Sequence, residues 1–125
     1  MNPVDAIRQI LEKYFDALYR GDADLFAEVL HPKGRLFCST DGQLVVMDVP
    51  EYLEVVRRRE SPASRNDRRE DEIVSIEVPT STTAHVRVKE LFLPKHFTDE
   101  LTLLFVDDRW LIVSKVWHFT VEADA

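Results

Sequence analysis

From Pro3 onward, Val4, Ile7, Leu11, Tyr14, Phe15 and Leu18 recur at three- and four-residue spacing, with Ile10 widening the stripe. That periodicity predicts a helix buried along one face. Asn2 suits the N-cap and Pro3 the first helical position, and Gly21 supplies a C-terminal stop. Asp22 or Asp24 can cap a second, short helix with Leu25, Phe26, Val29 and Leu30 as its apolar positions, stopped by Pro32 and Gly34. The tight Arg20-Gly21-Asp22 connection makes the two an antiparallel or angled pair. Arg35 to Ser39 reads as a strand, Thr40-Asp41-Gly42 as a turn, and Gln43 to Met47 as the returning strand. Pro50, with Asp48 as cap, opens a third helix whose apolar face is Tyr52, Leu53 and Val56. The polar segment Arg59 to Asp67 is expected to be a mobile loop.

Beyond this point the period changes to two. Glu72 to Val78 turns through Pro79-Thr80-Ser81-Thr82 into Thr83 to Leu93. There Ala84, Val86, Val88, Glu90 and Phe92 share one face, and His85, Arg87 and Lys89 take the other. A turn at Pro94-Lys95 leads into the longest hairpin, Phe97 to Phe119, folded at Asp107-Asp108, a pair that suits a two-residue loop. Helices first and then a meander of long antiparallel strands make an α+β fold. A chain of 125 residues is expected to form one domain, 1–125, around a single core.

Pairing Val106 with Arg109 puts Phe97, Asp99, Leu101, Leu103 and Phe105 on one sheet face, together with Trp110, Ile112, Ser114, Val116 and His118. The face is apolar at the turn end and polar at the far end, the pattern of a ligand pocket. Phe97, Leu101, Leu103, Trp110 and Ile112 would line it, with Ser114 nearby. Pairing Leu93 with His96 brings Glu90 opposite Asp99, so that Glu90, Asp99 and His118 converge. Two carboxylates in a poorly solvated site cannot both ionise cheaply, and an imidazole gives them an acid-base partner near neutral pH. A second reading stands beside this one. Glu90 and Asp99 fit equally well as solvated groups where the strands splay, and one extra loop residue would move Glu90 to the other face. Tyr14 belongs to the apolar stripe of the first helix, with its hydroxyl able to reach the pocket. The opposite face pairs Glu100 with Lys115 among Thr98, Thr102, Leu111, Val113, Trp117 and Phe119, a mixed surface suited to a homodimer interface.

Charge and composition narrow the function. A net charge of −7 is unlike the basic footprint of a nucleic-acid binder, although Arg57, Arg58, Arg59, Arg65, Arg68 and Arg69 crowd into one stretch, interleaved with acids. No apolar run is long enough to cross a bilayer and the N-terminus has no signal-peptide pattern, so a cytoplasmic location is expected. The single cysteine, Cys38, leaves no disulfide or cysteine-based zinc site and suits a buried, inert thiol. No metal-ligand spacing or glycine-rich phosphate loop is present, and no cofactor is expected.

Three segments together carry a family resemblance: Y-F-D-A-L-Y-R-G-D-A-D-L-F, L-H-P-K-G-R-L-F and D-E-L-T-L-L-F-V-D-D-R-W-L-I-V-S-K-V-W-H. In this order they resemble the nuclear transport factor 2-like superfamily, and within it the small bacterial lumazine-binding-like and SnoaL-like proteins. The resemblance spans about Val4 to His118. It implies a cone-shaped α+β barrel, a curved antiparallel sheet wrapped around the N-terminal helices and dimeric through the convex sheet face, in agreement with the face assigned above to Thr102, Leu111, Val113 and Trp117. Relatives on this fold include ketosteroid isomerases, scytalone dehydratase, polyketide cyclases and non-enzymatic modules, so the fold leaves function open. Tyr14 is similar to the helix-one tyrosine of the isomerase oxyanion hole, Ser39 stands where the isomerase has its aspartate base, and Asp99 or Glu100 corresponds to the protonated aspartate. Asp99 and His118 are the residues available for the aspartate–histidine pair of the cyclases and dehydratases. The expectation is a binding domain for an unidentified small hydrophobic ligand, with an acid-base enzyme and a purely structural dimer as the alternatives.

Overall fold

The computed structural model describes residues 1–123. Helix α1, Pro3–Arg20, starts where Asn2 accepts a hydrogen bond from the Asp5 amide. It ends at Gly21, whose φ of 64° supplies the left-handed cap. Helix α2, Ala23–Val29, is capped by Asp22. Helix α3, Val49–Arg58, begins with a complete capping box between Asp48 and Glu51. The strands are β1 Leu30–Cys38, β2 Val45–Asp48, β3 Asp71–Glu77, β4 Thr83–Phe92, β5 Lys95–Val106 and β6 Arg109–Val121. They form one curved sheet in the order β2-β1-β6-β5-β4-β3. All neighbours are antiparallel except β1 and β6, which run parallel. The expected α+β fold, with a curved sheet against N-terminal helices, is what forms. No helix among the described residues is long and apolar enough to cross a membrane.

The core lies between the helices and the concave face of the sheet. Ile7, Leu11, Tyr14 and Leu18 from α1, Phe26 from α2 and Tyr52 and Val56 from α3 meet Val86, Val88, Leu101, Leu103 and Ile112. Tyr14, Phe26 and Tyr52 stack edge to face along this seam.

Four local expectations need correction. Helix α2 ends at Val29, and Pro32 and Gly34 lie inside β1. A β-carbon on Gly34 would come within 3.1 Å of the Val113 carbonyl oxygen, so glycine is what lets β1 lie this close to β6. The segment after α3 is not a plain loop, since Ala63–Arg65 forms a 3-10 turn. The β4–β5 turn falls at Leu93-Pro94, pairing Phe92 with Lys95 and Glu90 with Phe97. That is a two-residue slip from the expected register, and an even slip leaves Glu90 and Asp99 on the same face. The fourth correction decides the site. The Asp107-Asp108 turn forms as expected, with both residues at positive φ, and Phe105 pairs with Trp110. Beyond Leu103↔Ile112, however, the register jumps to Thr102↔Ser114. Val113 is an extra residue in β6, a bulge, and every β6 side chain beyond it changes face.

Candidate functional site

Toward the Asp107-Asp108 turn the helices seal the concave face, and Leu101, Leu103 and Ile112 are fully buried there. Toward the other end, sheet and helices part around a cavity of about 340 Å³, within the size range of ligand pockets. Its walls are aromatic: Phe92 of β4, Phe97 of β5, Trp117 and Phe119 of β6, and Tyr52 of α3. Its polar lining is Glu90, Lys115, Arg59, Lys95, Thr40, Asp41 and Gln43. Cys38, buried as expected, forms part of the wall.

Glu90 and Lys115, only 4% and 6% exposed, contact Asp99, which is completely buried. The Val113 bulge delivers Lys115 here: it sits opposite Leu101, with Asp99 opposite Trp117 on the same face. Tyr14 Oη donates to Asp99 Oδ2 at 2.6 Å, and Lys115 Nζ lies 3.5 Å from the same oxygen. The ammonium also stands over the rings of Tyr52 at 5.2 Å, Tyr14 at 5.4 Å and Trp117 at 5.6 Å, contacts that favour a cation.

Burial is the largest influence on Glu90. Together with the negative charge of Asp99, burial holds the Glu90 carboxyl well above the usual carboxylate range. Hydrogen bonding points the same way. Glu90 Oε1 and Oε2 and Asp99 Oδ1 are buried without a hydrogen-bond partner. A protonated Glu90 carboxyl can donate a hydrogen bond, which an ionised one cannot. For Lys115 burial is again the largest single influence and pulls its pKa down, but the charge of Asp99 leads the opposing effects and the net direction is upward. Lys115 is therefore an ammonium and not the free amine that attack on a carbonyl requires. Burial, then the charges of Asp99 and Glu90, push the Tyr14 phenol well above its ordinary value, so it stays a donor.

The structure gathers some of the anticipated residues and separates others. Tyr14, Glu90 and Asp99 come together, and Phe97 lines the cavity. Leu101 is core beneath the helices, and Trp110 lies at the opposite end of the sheet, beside Pro3 and Ala6. The expected convergence of His118 with Asp99 does not occur. His118 pairs with Thr98 on the outer face, its Nδ1 3.1 Å from Thr40 Oγ1. Ser114 and Val116 are on that face too, and Ser39 sits by a shallow outer depression with Leu44 and Val116. The expected Glu100–Lys115 pair is replaced by Glu100 with Arg87 and His85, and Trp117 and Phe119, assigned to a dimer face, line the cavity. One bulge accounts for the inversion of all the β6 residues. Sequence reasoning missed Lys115, Trp117, Arg59 and Asp41. The available signal was a phase change in the aromatics of β6, Trp110 at an even position and Trp117 and Phe119 at odd ones.

Solved structures share this architecture. An NTF2-like protein of unknown function from Shewanella baltica OS155 superposes with a TM-score of 0.83 at 22% identity, over 96% of this chain and 98% of its own. A ketosteroid isomerase-like protein from Erwinia carotovora atroseptica gives a TM-score of 0.70 at 16% identity, over 95% and 98%. In sequence the chain is similar to the aldolase FrzH of Cladobotryum sp, 25% identical over 116 residues, which is 91% of this chain and 89% of the relative. Residues 2–118 match the family described as "Putative lumazine-binding". With that match over almost its whole length, the chain belongs to the "Putative lumazine-binding" family, and it has the fold of the NTF2-like proteins.

Proposed function

We propose that the cavity binds a small carbonyl-bearing molecule and catalyses proton transfer next to its carbonyl group. One observation carries this reading: Tyr14, Glu90, Asp99 and Lys115, from one helix and three strands, form a buried contact cluster beside an aromatic-walled cavity. Packing alone does not call for them, because apolar replacements of a buried ion pair are often neutral or stabilising, by about 1–4 kcal/mol. Buried groups of perturbed acidity that face a cavity are instead what acid-base chemistry uses.

The cluster suits enolisation. Glu90 carries the proton and presents it to the carbonyl oxygen, while the Lys115 ammonium stabilises negative charge gathering there. Asp99 positions both groups and Tyr14 positions Asp99. Asp41, exposed on the turn after β1, is the cavity carboxylate free to accept a proton. As the C–H bond breaks toward Asp41, its electron pair forms the carbon–carbon double bond. The carbonyl π pair moves to oxygen, which takes the Glu90 proton. Aldol reactions and ketosteroid isomerisation both begin with proton removal beside a carbonyl, so the names of the fungal relative and of the Erwinia structure agree with this reading.

The aromatic walls favour a second reading, a domain that holds a flat ring without turning it over. Exchange of the α-hydrogens of butyrophenone in D₂O, followed by ¹H NMR, separates the two. Exchange above the buffer rate in the wild type, reduced in Glu90→Gln and Asp41→Asn, supports catalysis. Binding without exchange supports the second reading, and neither binding nor exchange overturns both.

A further inference from the structure

The crowded arginines between Arg57 and Arg69 are sorted by their partners. Arg57 and Arg58 pair with Glu54, Arg65 with Asp67, Arg68 with Glu70 and Glu122, and Arg69 with Asp16 and Asp71. Arg59 is the one arginine of this group without an acidic partner among the described residues. It is the C-cap of α3, with extended backbone at φ −84° and ψ 153°, so the chain leaves the helix there and the side chain joins the cavity lining. The guanidinium stands 4.7 Å from the Phe92 ring centroid and 5.5 Å from that of Tyr52. One nitrogen donates to Tyr52 Oη at 3.3 Å, while Nε is buried with no hydrogen-bond partner. A guanidinium stacked on an aromatic face keeps its donors in the plane of its edge, the arrangement that meets a carboxylate through two parallel hydrogen bonds.

The remaining charges of the cavity leave this edge uncompensated. Lys115 and Lys95 line the same space, the latter 4.3 Å from the Phe119 ring centroid. Asp99 is engaged by Tyr14 and Lys115, and burial beside Asp99 pushes Glu90 toward its neutral form. Asp41 is the one other carboxylate in the lining, and it forms no ion pair with Arg59. Arg59 and Lys115 therefore present two like charges to one cavity, and an anion between them relieves their repulsion.

We propose that Arg59 is the anion-recognising residue of this cavity and that its ligand is a small keto acid. The carboxylate meets the Arg59 edge, the carbonyl oxygen meets Glu90 and Lys115, and an apolar body lies between them against Phe97 and Trp117. This rests on the carbonyl-binding reading above and adds the class of molecule.

The test uses a matched pair, butyrophenone and β-benzoylpropionate, which differ by a terminal methyl against a carboxylate. Each is titrated into the protein and followed by calorimetry and by tryptophan fluorescence. The wild type is expected to bind the keto acid at least about tenfold more tightly than the ketone, the scale of a charge-assisted bidentate contact. In Arg59→Met the ratio is expected to fall to about one, and in Arg59→Lys to lie between. Circular dichroism confirms folding, with Arg59→Gln as the second variant if the methionine chain does not fold. Equal binding of the pair by the wild type, or a preference that survives loss of Arg59, overturns the role of Arg59 and leaves the carbonyl reading standing. Failure of both molecules to bind overturns that reading and this inference with it.

Discussion

Replacing Lys115 with methionine removes the one cation that balances the buried carboxyl pair while keeping most of the side-chain volume. At the observed 3.5 Å and an effective dielectric constant of about 20, the attraction between Lys115 and Asp99 is roughly 5 kcal/mol. Desolvation offsets part of this in the intact pair. A lone buried charge keeps its desolvation cost, however, so breaking such a pair typically costs about 3–5 kcal/mol. The loss should depend on pH. Without Lys115, the carboxyl pair of the folded state gains by binding a second proton, so it holds protons more tightly folded than unfolded. Stability from such a group is fully present below the ordinary carboxylate range and is lost as pH rises through the folded value. The deficit of Lys115→Met should therefore grow by up to about 1.4 kcal/mol per pH unit, reaching about 3–5 kcal/mol at pH 8 and shrinking to about 1 kcal/mol near pH 4.5. Urea unfolding followed by tryptophan fluorescence at both pH values measures it. At roughly 4 °C per kcal/mol for a chain of this length, the melting temperature at pH 8 should fall by over 10 °C. Adding Asp99→Asn to the variant removes the stranded charge and should restore most of the loss. A deficit below about 1 kcal/mol at pH 8, or one that does not change with pH, would refute the buried ion pair.

Other consequences follow from the same geometry. Tyr14→Phe deletes a buried charge-assisted hydrogen bond of 2.6 Å and should cost about 1.5–3 kcal/mol in chemical denaturation; a neutral outcome would mean that Asp99 does not depend on the phenol. The raised Glu90 carboxyl costs stability as pH climbs above the ordinary carboxylate range, so Glu90→Gln should flatten the fall in stability between pH 5 and 8, read as melting temperature against pH. His118→Ala, on the outer face, should leave ligand affinity and α-hydrogen exchange unchanged, and a large loss of either would restore His118 to the site. With Trp117 in the cavity, a homodimer through the outer face has to rest on Phe37, Val46, Leu104 and Val116. Val116, 46% exposed, should then give a monomer by sedimentation equilibrium when changed to Asp, and a wild type that is already monomeric would refute the interface.

The helices were legible because their signals are local. The stripe of α1, the Asn2 and Asp48 caps and the Gly21 stop act within a turn or two of chain, and each formed as written. Strand existence and the Asp107-Asp108 turn were equally local. Side-chain facing in β6 was not, because it depends on the parity of every residue counted from the turn. One extra residue at Val113, accommodated where β1 brings Gly34 close to its carbonyl, inverted the rest of the strand. The Glu90–Asp99 meeting survived a wrong register only because that error was even.

The sequence by itself determined the class of fold, the order of its elements and the presence of an apolar concavity, since periodicity, caps and turn residues are fixed by neighbours a few positions away. Tertiary structure alone decided which charges share that concavity. It exchanged His118 for Lys115, turned Arg59 away from its paired neighbours, and buried Glu90 beside Asp99, which raises the carboxyl's affinity for a proton. Those outcomes depend on desolvation and on through-space charge between residues distant in the chain, which no local pattern encodes.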